Sequence, residues 1–289
     1  MSVVGLIVHL GRDQASVHAR DLARWLIAEG HEVRVPPDDA STLADTGNVA
    51  QDPQVVAASQ FCEGLDLVVT LGGDGSILRA VELLAGKEIP ILGVNHGRLG
   101  YLTEVAPDEA QGAIARALRG SYDIEERMLV QTELTVAGKT STHLALNEAV
   151  IERTSEANTV RLAVSIDGEF FTTYAADGLI VASPTGSTAY AFSARGPIID
   201  ATHRALLLTP VAPHMPFDRA LVLAAETRLR LSIDGHRPAA VSVDGRRLMV
   251  IGDGDAIECT AADQAVHLVT FGPRRFQRVL KAKFGLNDR

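Results

Sequence analysis

A carboxylate set among glycines, Gly72-Gly73-Asp74-Gly75, directly follows the apolar run Leu65-Asp66-Leu67-Val68-Val69-Thr70-Leu71 and precedes Ser76-Ile77-Leu78, where helical spacing begins. Glycine accepts positive φ and lets a ligand approach the main chain, while a helix start presents free N–H groups and the positive end of a dipole to an anion. These residue types in this order point to a phosphate site with an acid placed inside it. A plain strand-to-helix turn also favours Gly and Asp, so the loop alone does not separate the two readings.

Two further segments carry chemistry. In Asp177-Gly178-Leu179-Ile180-Val181-Ala182-Ser183-Pro184-Thr185-Gly186-Ser187-Thr188-Ala189-Tyr190, a short apolar strand ends in a cluster of hydroxyls and small residues. Such a loop offers main-chain N–H groups and several hydroxyl donors with little bulk, which suits a sugar, an amide or a phosphate. The pair Asn147-Glu148 interrupts the apolar residues Leu144-Ala145-Leu146 and Ala149-Val150-Ile151. An acid flanked in this way either finds a partner or faces a cleft. Of the histidines His9, His96 and His214, only His214, in Pro213-His214 after an apolar strand, is ranked as a site member.

The elements that must position these residues fall into two textures. Over the first 120 or so residues, strand-like and helix-like runs alternate: Val3 to Leu10, Ala15 to Glu29 with Gly30 as its stop, His31 to Val35, Gln54 to Glu63, Leu65 to Leu71, Ser76 to Ala85, Ile89 to Val94, and a helix capped by Asp108 that reaches Arg119. This alternation predicts a doubly wound parallel sheet, whose ligands bind beyond the carboxyl ends of the strands. After Tyr122 short, β-branched segments follow, such as Val130 to Ala137, Val160 to Ile166, Leu229 to Ile233, Ala239 to Val243 and Ala256 to Thr260. Asp167-Gly168, Asp234-Gly235, Asp244-Gly245 and Asp253-Gly254 punctuate them as turns. The expected organisation is an α/β domain over 1–121, a β-rich, sandwich-like domain over 122–270, and a basic tail over 271–289 that packs back on the first domain. Arg274, Arg275, Arg278, Lys281 and Lys283 of that tail read as a solvated helix face. The polar stretch Ala40 to Asp52 is expected to order when substrate binds.

Composition narrows the classes. The 289 residues are 46% hydrophobic and 22% charged, ample for two cores, and the formal net charge of −9 argues against a general nucleic-acid or membrane-surface binder. Cys62 and Cys259 lie far apart and outside any C-x-x-C spacing, so neither a disulfide framework nor a zinc cluster is expected. No signal peptide or membrane-spanning run is read, and a cytoplasmic setting fits best. There is no G-x-x-x-x-G-K-[ST], no intact G-x-G-x-x-G after a strand, and no G-x-S-x-G around Ser187, which makes Ser187 a poor nucleophile.

Together these pieces resemble the NAD kinase family. The likeness rests on Gly72-Gly73-Asp74-Gly75, the turn Asn95-His96-Gly97-Arg98-Leu99-Gly100-Tyr101-Leu102, Asn147-Glu148, and Asp177 through Tyr190 with Ala191-Phe192-Ser193, in order over roughly Leu65 to Gly272. The resemblance implies ATP-dependent phosphorylation of NAD at the 2′-hydroxyl of its adenosine ribose to give NADP. It also implies a divalent metal, Mg2+, carried with ATP on ligands the sequence does not name, an N-terminal α/β domain with a C-terminal β-rich domain, and a homodimer or homotetramer.

Position by position, the family's proton acceptor falls on Asp74, with Gly73 and Gly75 beside it and Asn95 opening the turn that runs to Leu102. Asn147 and Glu148 fall where the family holds the adenine and ribose end of NAD, and Asp177 where it contacts the nicotinamide side. Thr188, Ala189, Tyr190 and Ser193 match its dinucleotide-lining loop. Arg79, one helical turn past Asp74, is similar to a basic residue that meets phosphate, and Asn158 and Ala175 stand where some relatives carry longer polar or basic side chains. Tyr101 replaces a common Phe and Ser183 a common Thr. Phosphoryl transfer through a loose transition state needs alignment and late acceptance of the hydroxyl proton more than a strong base, which is the role assigned to Asp74. Two alternatives stay open at this point, a lipid or sugar kinase sharing the glycine-bracketed acid, and a non-catalytic NAD or NADP sensor.

Overall fold

Apolar runs without alternation belong to strands covered on both faces, and the first part of the chain is built from such strands. The computed structural model describes residues 1–9, 11, 13–40, 53–97, 100–136, 138–154, 159–272 and 276–286. Expectations for Arg98, Leu99, Asn158, Arg274, Arg275 and the stretch 41–52 lie outside the described residues. The chain forms two compact units, one of residues 1–126 with 266–289 and one of residues 127–265.

In the first unit, β1 (Val3–Val8), β2 (Glu32–Val35), β3 (Gln54–Val55), β4 (Leu67–Gly72) and β5 (Ile91–Asn95) pair in parallel in the spatial order β5-β4-β1-β2-β3. Every residue of β4 is buried. Val4, Leu6, Val8, Val69 and Leu71 share one core with Ala15, Ala19, Leu22 and Leu26 of the helix Asp13–Ala28 and Ile114 of the helix Ala110–Leu118. The order reverses at β1: the chain leaves it on one side for β2 and β3 and returns on the other as β4. The carboxyl ends of β1 and β4, in register at Val8 and Leu71, therefore flank the topological switch point at which open α/β sheets bind ligands.

Two local expectations for this unit are corrected. Gln54 to Glu63 is not one helix, because Gln54 and Val55 extend the sheet beside Arg34 and Val35, and only Ala58–Phe61 turns helical, with Phe61 buried against Gly5. Asp108 does not cap the following helix: it lies inside a 3-10 turn, Pro107–Glu109, that leads into Ala110–Leu118, and no side chain caps either element. Pro107, whose fixed φ suits a first helical position, sets that start instead. At the far end of the chain Leu268 pairs with Ile91, and the helix Phe276–Phe284 brings Lys283 Nζ to 4.5 Å from the centre of the Tyr101 ring.

The second unit is β-rich, with helical turns at Thr185–Thr188 and Tyr190–Ser193. It contains β6 (Asp123–Val136, from residue 127), β7 (Lys139–Ala145), β8 (Glu148–Arg153), β9 (Val160–Ile166), β10 (Glu169–Ala176), β11 (Gly178–Ala182), β12 (Ala205–Val211), β13 (Leu221–Ala224), β14 (Leu229–Ile233), β15 (Ala239–Val243), β16 (Arg246–Ile251) and the start of β17 (Ala256–Thr270). One antiparallel sheet runs β13-β12-β11-β8-β15-β16, and β10, β9, β14 and β17 form another layer. Side chains at every second position, such as Ile151, Leu179, Val181, Leu206 and Val241, meet Leu162, Val164, Tyr174 and Leu231 in a shared core. The alternate residues Val150, Ile180, Ala182 and Leu207 pack on Ala191 at the opposite face. β8, β11 and β12 are thus covered on both sides, which is why Ala149 to Ile151, Leu179 to Ala182 and Ala205 to Leu208 are apolar without alternation. Asp167-Gly168 and Asp244-Gly245 close two-residue hairpins with positive φ at both residues, whereas Asp234-Gly235 and Asp253-Gly254 fall in longer connections.

Candidate active site

In the first unit, Gly73 is the extended residue before the helix Asp74–Leu84, so the helix begins two residues earlier than its apolar spacing indicates and takes Asp74 into its first turn. The Asp74 carboxylate is gripped by the turn after β5: Tyr101 N–H donates to Oδ2 at 2.8 Å and Leu102 N–H to Oδ1 at 2.9 Å. This grip depends on Gly100, where a Cβ would lie 2.2 Å from Asp74 Oδ1. Burial and the neighbouring Asp74 charge both push the Tyr101 phenol above its ordinary range. Asn95, at the end of β5, accepts Gly97 N–H on its side-chain oxygen at 3.1 Å, and its own N–H donates to Val105 O at 2.8 Å. His96 N–H donates to Gly72 O at 2.7 Å, tying the ends of β4 and β5 together beside the glycines.

Arg79 faces inward. Its Nη1 donates to Asp39 Oδ1 at 2.5 Å, and Nη2 lies 3.6 Å from Asp38. Asp39 is wholly buried and also accepts Val8 N–H at 3.0 Å. Burial raises its carboxyl above the usual carboxylate range, against the lowering effect of Arg79. A phosphate at Arg79 would compete with this pair.

Sequence reasoning passed over the histidines at this edge. His9, directly after β1, lies against Gly72, where a Cβ would come within 2.9 Å of His9 Cβ. His18 Nδ1 and His96 Nε2 are 2.9 Å apart, so one ring must donate and the other accept, and burial pushes His18 below its ordinary value. The signal available was positional: His9 lies near the carboxyl end of the expected strand Val3 to Leu10, and His96 just beyond that of Ile89 to Val94.

In the second unit, Asn147 and Glu148 form the turn into β8. Asp244 of the β15–β16 hairpin accepts N–H groups from Leu146, Asn147 and Glu148 at 2.7, 2.8 and 3.1 Å. Glu148 is 6% exposed, and its Oε2 has no hydrogen-bond partner among the described residues. Burial first, then the Asp244 charge, pushes its carboxyl up to about 7, opposed by a hydrogen bond from Tyr190 N–H.

The hydroxyl-rich loop after β11 differs from expectation. Ser183 and Ser187 are fully buried: Ser183 Oγ donates to Leu146 O at 2.5 Å, and Ser187 Oγ donates to Pro184 O at 2.6 Å and accepts Ile199 N–H at 3.0 Å. Thr185 is engaged by Arg127 at 3.2 Å. These hydroxyls build the loop, because a buried irregular segment must satisfy its own polar groups. Gly186 packs so closely on Asn147 that a Cβ would sit 2.1 Å from its carbonyl oxygen. What the loop presents outward is the half-buried Thr188 and Ala189 and the exposed Tyr190 and Ser193. Asp177 pairs with Arg153 at 3.1 Å, and the exposed His214 donates its N–H to Ala175 O at 2.7 Å.

The first unit is a doubly wound sheet with a glycine-bracketed acid at its switch point, and the second a β-sandwich with a close-packed loop on a buried acid; this pairing is that of a phosphotransferase of two-part construction. Residues 4–122 match the ATP-NAD kinase N-terminal domain and residues 146–271 the ATP-NAD kinase C-terminal domain. The chain belongs to the ATP-NAD kinase family. It is 38% identical over 285 residues to the NAD kinase of Heliobacterium modesticaldum, covering 98% of each chain, and 36% identical to that of Moorella thermoacetica, covering 98% of this chain and 89% of the relative. The crystal structure of yeast NADH kinase complexed with NADH is similar with a TM-score of 0.92 at 25% identity, over 100% of this chain and 89% of that one. An NAD kinase from Archaeoglobus fulgidus shares the fold with a TM-score of 0.72 at 24% identity, over 99% of this chain and 100% of the other. The lipid-kinase, sugar-kinase and sensor alternatives are not favoured by these matches.

Proposed function

We infer that the chain is an NAD kinase, transferring the γ-phosphoryl group of ATP to the 2′-hydroxyl of the adenosine ribose of NAD and releasing NADP and ADP. The observation that carries the reading for the chemistry is the Asp74 carboxylate, held by two main-chain N–H groups at the start of a helix beside the sheet's switch point. In the proposed step Asp74 orients the acceptor hydroxyl, the oxygen attacks phosphorus in line, ADP leaves, and the hydroxyl proton passes to Asp74 late. Gly73 and Gly75 leave the helix start open to phosphate. Asn147 and Glu148 are assigned the adenosine end, Asp177 the nicotinamide side, and Thr188, Ala189, Tyr190 and Ser193 the dinucleotide wall. Asn158 and His214 remain assigned to substrate binding on the resemblance alone.

The divalent ion enters this proposal only with ATP. Among the described residues no group of three or more His, Cys, Asp and Glu side chains has the geometry to hold an ion, and both Asp74 oxygens already accept amide hydrogens. Bound to the triphosphate, such an ion supplies charge neutralisation. Among the described residues no helix is long and apolar enough to cross a membrane. A cytoplasmic setting and a homodimer or homotetramer belong to the same proposal, the latter checked by light scattering.

Asp74→Asn tests the reading directly. With ATP, magnesium and NAD, and product read by an NADP-specific dehydrogenase, turnover should fall about 10²- to 10⁴-fold, the range for a lost proton acceptor, while NAD affinity stays within a few fold. Equal losses in turnover and affinity would remove Asp74 from that role. The same assay with NADH as acceptor separates the two forms of the dinucleotide.

A further inference from the structure

The catalytic reading gives no role to Asp244, a charged group of the second unit. Asp244 stands in a hairpin turn at a left-handed φ of 46°, a conformation Asp tolerates when its side chain has local hydrogen bonds. Its carboxylate reaches across to the turn before β8 and collects three consecutive N–H groups, from Leu146, Asn147 and Glu148. Its own N–H donates to Glu148 O at 3.0 Å, so main chain and side chain both fasten the same residue. From the other side Ser183 N–H donates to Asn147 O at 2.9 Å, and Gly186 lies in contact with that carbonyl. The Asn147-Glu148 turn is therefore clamped between two elements distant in sequence, with a buried carboxyl oxygen of Glu148 left without a partner among the described residues.

We propose that Asp244 is a positioning residue for dinucleotide binding, fixing the Asn147-Glu148 turn so that the buried Glu148 carboxyl is held in place for a ribose hydroxyl. This deepens the NAD kinase reading and rests on it. A hairpin has no need of such a carboxylate: the Asp167-Gly168 turn is closed in the same way, and its Asp binds a single N–H, that of Arg228 at 2.9 Å. An anion placed beside a second carboxyl opposes its ionisation. The groups that act on Glu148 are Asp244 from the β15–β16 turn and Tyr190 N–H from the short helix Tyr190–Ser193, while the Tyr190 phenol in turn faces Glu148, Glu152 of β8 and Asp177, which Arg153 pairs.

The test uses the full chain and compares Asp244→Asn with Asp244→Glu against the unsubstituted enzyme, measuring kcat, KM for NAD and for ATP, thermal midpoint, and kcat/KM for NAD from pH 5 to 9. The unsubstituted enzyme should show an inflection at about 7 from Glu148. Asp244→Asn removes the charge but keeps the shape, so KM for NAD should rise about tenfold or more with KM for ATP unchanged, and the inflection should move to lower pH. Asp244→Glu keeps the charge at the wrong reach, so KM for NAD should rise while the inflection stays in place. A purely structural role would lower the midpoint and the amount of active enzyme without moving the inflection, and that result overturns the proposal. So does an unchanged KM for NAD in either folded variant. If Asp244→Asn does not fold, the charge-retaining variant decides alone on KM for NAD. Absence of NADP formation by the unsubstituted enzyme would instead refute the NAD kinase reading, so the two failures are distinguishable.

Discussion

Replacing Gly100 by alanine places a methyl group where the Asp74 carboxylate now lies. The added Cβ would be 2.2 Å from Asp74 Oδ1 and 2.6 Å from Thr103 Oγ1, and 3.0 Å from Asp74 Cγ. Carbon and oxygen come no closer than about 3.3 Å in ordinary contact, so the carboxylate must withdraw by about 1 Å. The main chain itself does not resist, since Gly100 is not among the residues with positive φ. Withdrawal stretches the bonds from Tyr101 and Leu102, now 2.8 and 2.9 Å. Bonds to a charged acceptor are worth about 1.5–3 kcal/mol each, but Asp74 is only half-buried and regains water, so the net loss of stability is about 1–2 kcal/mol, a few degrees in thermal midpoint. Catalysis loses more, because a reacting group displaced by 1 Å costs about 10²-fold. Steady-state kinetics should show kcat lowered about 100-fold with KM for NAD within threefold. A kcat within threefold of the unsubstituted enzyme would refute the claim that the turn at Gly100 sets the position of Asp74.

Ser187→Ala leaves Ile199 N–H without its acceptor and should cost about 1–3 kcal/mol in chemical denaturation, while turnover of the folded enzyme stays near normal; loss of turnover without loss of stability would revive Ser187 as a reacting group. Glu148 has a folded value of about 7 against an ordinary 4.5, so it binds more protons in the folded state, and its contribution to stability is full below about 4.5 and lost as pH rises through about 7. The stability of Glu148→Gln relative to the unsubstituted chain should therefore rise between these limits by up to about 3 kcal/mol; a difference independent of pH would show that Glu148 titrates normally. Asp39→Ala strips Arg79 of its buried partner and Val8 N–H of its acceptor, and should destabilise by about 3 kcal/mol, the lower end for a broken buried pair because Arg79 keeps some solvent. The double variant Asp39→Leu with Arg79→Met should recover part of that loss, and if it is no more stable than the single variant the pair is not the cause.

Legibility varied with the range of the interactions involved. Val160–Ile166, Leu229–Ile233 and Ala239–Val243 have the bounds read from alternation and flanking turns, because those signals are local. The helix Asp74–Leu84 was misjudged by two residues, since its first turn holds a glycine and an acid whose helical state depends on the distant turn at Tyr101 and Leu102. Gln54 and Val55 were assigned to a helix because their pairing with Arg34 and Val35 leaves no trace in their own spacing. Asp244 looked like any Asp of an Asp-Gly hairpin, and nothing near it in sequence announces the N–H groups of residues 146–148.

The order of amino acids by itself determined the two textures of the chain, the parallel α/β half and the antiparallel half, because hydrophobic period and turn residues act over a few positions. It also determined the family, through motifs whose residue types are demanded by phosphate and by close main-chain approach. Tertiary structure alone decided what each polar group does. Ser183 and Ser187 turned inward to satisfy a buried loop, Arg79 turned to Asp39, Asp74 was fastened by a turn 27 and 28 residues away, and Glu148 was buried beside a charge 96 residues further on that, with burial, raises its carboxyl above the usual range. A hydroxyl or a carboxyl carries the same chemistry wherever it stands in a chain; burial and the partners that folding brings within 3 Å decide whether it supports the scaffold or meets the substrate.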